Sequence, residues 1–331
     1  MRVEINKHEE LSVLLEKRVD CISLFNNQGM SMKLLTHGCL MLELNVPDQS
    51  GFSENVLMTY DELTKFVDNP IYLNTTIGLN AGRLKGGEVT IDGKVYKSDV
   101  NEGVCNLHGG KDGLHQKTWQ YAGEVLGSDW CSVSLKYVHE HLSDGFPGNI
   151  EIEAVFKLTD DNQLTVQYFA RSDRDCHINL TSHYYFNLSG NEKNKIDEHL
   201  LFVNTQYYKE LDQNGLPLEP KIQTKNSALD FAQFAPIENS YRNKIKGIDH
   251  PFSLEDPVDH TKPGIIYRDP VSKRSLSIQS NQPSVVIYTN NIAYKNHLGI
   301  CFEMQQFSNQ LNLVEAGIEY VHETIYQFNA K

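Results

Sequence analysis

The 331-residue sequence predicts an all-β fold, a large antiparallel β-sandwich with few short helices. Three observations carry that expectation. Short runs alternate apolar and polar side chains, turn residues separate them at close intervals, and stretches with helical spacing are scarce. In order, residues 19–25 form a β-type run, Asn26-Asn27-Gln28-Gly29 a turn, and residues 30–35 a second extended segment broken by Thr36-His37-Gly38. Residues 39–46 alternate next. Residues 87–96 hold an Asp92-Gly93 turn between two runs, a strong hairpin signal because such turns need φ > 0 at both central positions. Residues 132–139, 150–158 and 163–170 read as strands, the last two joined through 159–162, and residues 275–280, 285–289 and 300–304 complete the set. Helices are expected at 9–17 and at 60–66, with Thr59 as the N-cap of the second. No internal repeat, low-complexity stretch or Pro/Ser-rich linker divides the chain, so residues 1–331 are expected to form a single domain.

Composition narrows the function. Apolar residues make up 40% and charged residues 22%, an ordinary globular balance. A net charge of −13 repels phosphate backbones and argues against a nucleic-acid partner. The polar N-terminus lacks the apolar stretch of a secretory signal, and no apolar run is long enough to span a bilayer. The six cysteines are scattered without C-x-x-C spacing, which suits isolated thiols in a reducing cytoplasm.

Several short segments carry titratable groups in unusual company. In Leu107-His108-Gly109-Gly110 two glycines allow close backbone approach, or simply make a turn beside an incidental histidine. His183 stands alone in the apolar, aromatic strand-like run 178–188, either as a satisfied core histidine or as a functional one. Glu303 lies in Cys301-Phe302-Glu303-Met304-Gln305, where alternation puts it on one face with Cys301 and Gln305, and Phe302 and Met304 on the other. A carboxylate there is either a strand-edge surface group or a buried one with a purpose. Arg83 follows a Gly-containing bend, and Asp249 precedes a histidine in an expected loop; for each, a surface ion pair is the plain alternative. His139-Glu140-His141 would put two histidines on one strand face, but no further ligand stands at zinc-like spacing, so no metal is expected. Phosphate-loop, G-x-S-x-G and dinucleotide fingerprints are absent.

Taken in order, these segments resemble the aldose 1-epimerases, or galactose mutarotases. The resemblance covers most of the chain and rests on residues 77–84, Leu107-His108-Gly109-Gly110, Asp144-Gly145-Phe146-Pro147-Gly148-Asn149, residues 179–188, Ile248-Asp249-His250 and Phe302-Glu303-Met304-Gln305. It implies a β-sandwich of the galactose mutarotase type with an open carbohydrate cleft, a small-molecule aldose as partner, and no cofactor. By the same resemblance Glu303 matches the general base and His183 the general acid. His108 matches a second cleft histidine, and Arg83 and Asp249 match residues that bind sugar hydroxyls. The chain departs from the family at Gly82, where asparagine is usual, at Val286, where glutamine is frequent, and at Phe307-Ser308-Asn309, where Pro-Asp is usual.

The chemistry suits those residue types. Interconverting anomers requires a base for the C1 hydroxyl proton and an acid for the ring oxygen, each with a pKa near working pH. Histidine suits the acid, a partly desolvated glutamate the base, and an arginine fork can clamp adjacent hydroxyls. Two alternatives stay open at this level. A hexose-6-phosphate 1-epimerase would need an added cationic cluster, and a non-catalytic sugar-binding protein on the same scaffold would not need the acid–base pair.

Overall fold

A computed structural model describes residues 1–241, 246–254 and 262–330 of the chain. The alternating runs become strands joined in antiparallel ladders. A nine-stranded sheet runs, in spatial order, through Gln120–Leu126, Trp130–His139, Ile150–Thr159, Gln163–Ser172, Glu319–Ala330, Arg274–Ser280, Ile265–Arg268, Leu200–Val203 and Ala235–Pro236. A six-stranded sheet runs through Tyr185–Phe186, Ile300–Gln305, Ser284–Tyr288, Asp249–Ser253, Tyr207–Tyr208 and Ile222–Gln223. The first strands, Arg2–Lys7, Asp20–Phe25, Ser31–Leu35, Leu40–Pro47 and Ser53–Asn55, form a five-stranded meander. The Asp92-Gly93 hairpin forms between Glu88–Ile91 and Lys94–Lys97, with both turn residues at positive φ (50° and 77°).

The two large sheets meet face to face through aromatic side chains. Phe186 lies 5.6 Å from Tyr326 and Phe302 lies 5.7 Å from Tyr267, ring centroid to centroid. This is how strand alternation makes a sandwich: one face of each strand is buried between the sheets and the other is left for something else.

Several expectations need correction. The longest strand, Glu319–Ala330, lies mid-sheet yet was not read from the sequence. Its inward face includes His322 and Thr324, which break the apolar alternation; His322 is satisfied by Leu180 O at 2.9 Å and Thr324 Oγ1 at 2.9 Å. The helix expected at 60–66 is instead Lys65–Asp68, with Thr64 at the N-cap and not Thr59. Tertiary contacts hold the preceding segment, since Tyr60 stacks edge-on against Phe66 and its hydroxyl donates to Asn69 Oδ1 at 2.8 Å. The helix expected at 9–17 is the shorter Glu9–Leu14. Asp249 lies in a strand, not a loop; Pro251 stands within it, and its carbonyl accepts from Lys209 N at 2.9 Å. The run around His183 is two short strands, Thr181–Ser182 and Tyr185–Phe186, with His183 between them.

Candidate active site

Glu303 sits on Ile300–Gln305, a strand whose six residues are all buried. Phe302 packs into the inter-sheet core, and Cys301, Glu303 and Gln305 face the other way, as alternation predicts. Register then builds the site floor. Pro251 lies opposite Val286 and Val286 opposite Glu303; two residues along, Asp249 lies opposite Tyr288, Tyr288 opposite Cys301, and Cys301 opposite Tyr185. These rows share one face and floor a cleft of about 410 Å³, which Arg83, His108, His183, Asp249 and Glu303 all line. The structure therefore brings together all five residues expected in the cleft.

Backbone bonds on both sides hold His183 in place. Its N–H donates to Thr75 O at 2.9 Å, and its carbonyl accepts from Asn74 N at 3.0 Å. Its Nε2 stands 3.5 Å from Glu303 Oε1, and its Nδ1 meets the Cys301 thiol at 3.4 Å. His108 follows the strand Cys105–Leu107, which pairs with Arg83–Lys85. Gly82 N donates to His108 Nδ1 at 3.2 Å, so the neutral ring carries its proton on Nε2, 3.9 Å from Glu303 Oε2. The glycine after His108 has a backbone reason. Gly109 sits at φ 86°, and a Cβ there would stand 2.1 Å from Gly78 O, so the close approach is to the chain itself.

Arg83 lines the cleft as expected, but with a partner the sequence did not announce. Its fork is engaged by Glu102, Nε to Oε2 at 2.5 Å and Nη2 to Oε1 at 2.9 Å, which leaves only part of the guanidinium for a ligand. Glu102 had no sequence signal, lying in a short turn without periodicity. Tyr72, Tyr288, Gln305 and Phe307 also line the cleft and were not singled out as site residues. Gly82 and Val286, the departures from the family pattern, do lie in its wall.

Burial dominates the electrostatics. It pushes Glu303 up to about 8, with Asp249 adding to the rise and Arg83 opposing it. Burial pulls His183 down to about 3, and carries His108 well below the usual histidine value, with His183 and Arg83 adding to the fall. Asp249 is raised by burial, against the pull of Arg83 and His250. Glu303 Oε2 and Gln305 Oε1 are buried acceptors with no hydrogen-bond partner among the described residues, so both are open to a ligand's hydroxyl groups.

His139 and His141 have structural work elsewhere. His139 ends its strand with Nδ1 3.3 Å from Gly148 O and Nε2 3.7 Å from Asp144 Oδ2, and His141 Nδ1 accepts from Gly148 N at 2.8 Å. His141 lies beyond the strand, so the two do not share a strand face. Among the described residues, the donors grouped closely enough for a metal are His108, His183 and Glu303, whose ligand atoms lie within 4.8 Å of one another.

Known proteins resemble this chain in sequence and in fold. The sequence pattern described as Aldose 1-epimerase matches residues 20–327. The chain is 27% identical to the aldose 1-epimerase of Haemophilus influenzae, over 93% of this chain and 95% of that one. It is 27% identical to the galactose mutarotase of Bos taurus, over 91% of each chain. In fold it resembles the galactose 1-epimerase of Lactobacillus acidophilus, with a TM-score of 0.86 and 23% identity over 99% of each chain. With nearly its whole length matched, the chain belongs to the aldose 1-epimerase family of isomerases.

Proposed function

We propose that this epimerase opens the ring of a free hexopyranose with Glu303 as base and His183 as acid, and recloses it on the opposite face of C1. The observation that carries this reading is the approach of His183 Nε2 to Glu303 Oε1, 3.5 Å, on the buried floor of the cleft. The hydroxyl that loses a proton and the ring oxygen that gains one are bonded to the same carbon, so acid and base must converge on one point. Glu303 takes the C1 hydroxyl proton while His183 protonates the ring oxygen and the C1–O5 bond breaks. The aldehyde turns about C1–C2, and both protons return as the ring closes. His108 Nε2–H, the free part of Arg83, and Asp249 supply bonds to the remaining hydroxyls.

A free sugar fits the cleft better than a sugar phosphate. Arg83 is engaged by Glu102, and Lys209, which stands against the Phe307 ring at 4.4 Å, is paired with Glu219. Neither is an unpaired cation awaiting a phosphate. The free cysteines, five of the six buried, support a reducing and hence cytoplasmic setting, and the charge of −13 supports the absence of a nucleic-acid partner. No helix among the described residues is long and apolar enough to cross a membrane.

Polarimetry on freshly dissolved α-D-glucose and α-D-galactose tests the activity: the protein should speed the approach to the equilibrium rotation, and no acceleration with either sugar would remove the catalytic reading in favour of a binding protein. Because the scheme asks of these side chains only proton transfer and hydrogen bonding, we expect dialysis against EDTA to leave the rate unchanged. A rate lost on chelation and restored by zinc would assign a metal to His108, His183 and Glu303.

A further inference from the structure

One aromatic side chain in the cleft wall has no task in this acid–base scheme. Tyr72 lies in a loop where Asn69, Tyr72 and Asn74 all take positive φ (40°, 56° and 56°). Asparagine tolerates that region, but a bulky aromatic residue rarely enters it, and such conformations persist where surrounding bonds over-determine them. Those bonds are present. The Asn69 side chain accepts from Leu73 N at 2.7 Å, Tyr185 OH donates to Ile71 O at 2.9 Å, Thr75 Oγ1 donates to Tyr72 O at 2.9 Å, and Tyr185 N donates to Asn74 Oδ1 at 2.9 Å.

The outcome is a ring set among three histidines. Tyr72 meets His108 edge-on at 4.7 Å and His115 edge-on at 4.8 Å, and lies tilted against His183 at 6.1 Å. Its hydroxyl accepts from Asn101 Nδ2 at 3.1 Å, and the Asn101 amide also bonds the N–H and carbonyl of Leu107, the residue before His108. Tyr72 lines the catalytic cleft and also a second, more open cavity of about 410 Å³ lined by Asp68, Asn101, Lys111, Asp112 and His115. It therefore lies between the buried acid–base pair and a polar, water-accessible hollow.

We infer that Tyr72 is a positioning residue of the ring-opening reaction, whose ring holds the planes of His108 and His183 and seals the cleft against the neighbouring polar cavity. This rests on the acid–base reading above. His183 is faced by Cys301, Glu303, His108, Tyr185 and Tyr72, with His115 behind; Glu303 is faced by His183, His108, Asp249 and Arg83, with Tyr185 and Tyr288 beside it. The shifts of His183 and Glu303 both come chiefly from burial. Opening the wall lets water reach the pair, so the His183 value rises, the Glu303 value falls, and the pH window of activity narrows from both sides.

The test compares Tyr72→Phe, Tyr72→Leu and Tyr72→Ala in the full chain. Phenylalanine keeps the ring and should hold kcat within about threefold of wild type, whereas leucine and alanine should lower kcat at least ~10-fold with KM little changed. In the latter two the limbs of the pH–kcat/KM profile should approach each other by at least about half a unit. Leucine nearly fills the site, so the decision rests on the Leu–Phe comparison if the alanine variant does not fold. A leucine variant with wild-type kcat, or with lowered kcat but unmoved limbs, overturns the inference. NMR titration of His183 in the free protein needs no substrate. A wild type without epimerase activity would sink the acid–base reading, while an unmoved His183 titration in Tyr72→Leu would sink this one alone.

Discussion

At the scale of single residues, the cleft is governed by how much it costs to bury charge. Glu303 and His183 stand 3.5 Å apart, and burial chiefly sets the proton affinity of each. Between the depressed limb near His183's value and the raised limb near Glu303's, about 8, the two groups hold one proton, resting mainly on Glu303; the reactive form, with that proton on His183 and Glu303 ionised, is the minor one and keeps a constant share of this state across the window. Below that window both groups are protonated and no base remains; above it both are deprotonated and no acid remains. We therefore expect a bell-shaped kcat/KM profile that falls on the alkaline side with an apparent pKa of about 8, and a profile flat through pH 9 would exclude Glu303 from the titration. Glu303→Gln preserves shape and removes basicity. It should lower kcat at least ~10²-fold with circular dichroism unchanged, and retained activity would take Glu303 out of the mechanism. Glu303 was legible in the sequence because a carboxylate among apolar residues is rare without a purpose. Arg83 was legible as a cleft residue through the resemblance, but its engagement by Glu102 depends on the pairing of two short strands.

At the scale of elements, register decides which side chains share the cleft. A one-residue slip of Ile300–Gln305 would send Glu303 into the aromatic core and Phe302 into the site. The same register puts Val286 beside Glu303 and Pro251, an apolar patch where the family often carries an amide. An apolar wall cannot read the orientation of a hydroxyl, so we expect galactose and glucose to be turned over with kcat/KM within about tenfold of each other. Val286→Gln should sharpen that preference. Gly82→Asn should add little, because a Cβ at Gly82 would stand 3.3 Å from Gln305 Nε2, an amide already placed there. A strongly galactose-selective wild type, measured by coupled assay on both sugars, would show that other groups supply the discrimination.

At the scale of the whole molecule, one buried cation ties the sheets together. Arg274, on a strand of the nine-stranded sheet, is fully buried. It donates to Val46 O at 3.0 Å, Leu188 O at 3.2 Å and Phe52 O at 3.1 Å, and to Glu54 Oε2 at 3.2 Å. Burial alone would raise the Glu54 carboxyl, but bonds from Lys193 and Arg274 outweigh it and hold it below its usual value. Arg274→Met should cost about 3 kcal/mol in chemical denaturation, since a nearly buried carboxylate loses one of its two cations. A depressed carboxylate pKa contributes stability that is present above the unfolded value and lost as pH falls through the folded one. The deficit of the variant should therefore shrink below roughly pH 4. A deficit under about 1 kcal/mol, or one that grows in acid, would count against this role. We propose that residues 1–331 unfold as one domain, so wild type and variant should each show a single calorimetric transition with matching van't Hoff enthalpy.

By itself the sequence determined the fold class and the family, and it singled out five residues, Arg83, His108, His183, Asp249 and Glu303, that line one cleft. Strand alternation and turn chemistry are local, and the ordered motifs carry their residue types with them. It could not reveal the central strand Glu319–Ala330, because polar His322 and Thr324 break the apolar alternation of its inward face, and the bonds that let His322 be buried, to Leu180 O and Thr324 Oγ1, form only in the fold. Nor could it show that Asp249 lies in a strand, that Glu102 occupies the Arg83 fork, or that Tyr72 is set among three histidines. Those are long-range facts. The loop around Tyr72, the turn holding Glu102 and the strand carrying Glu303 meet only after the sheets have packed. The depth at which Glu303 and His183 are buried, and so their proton affinities, exists only in the assembled cleft.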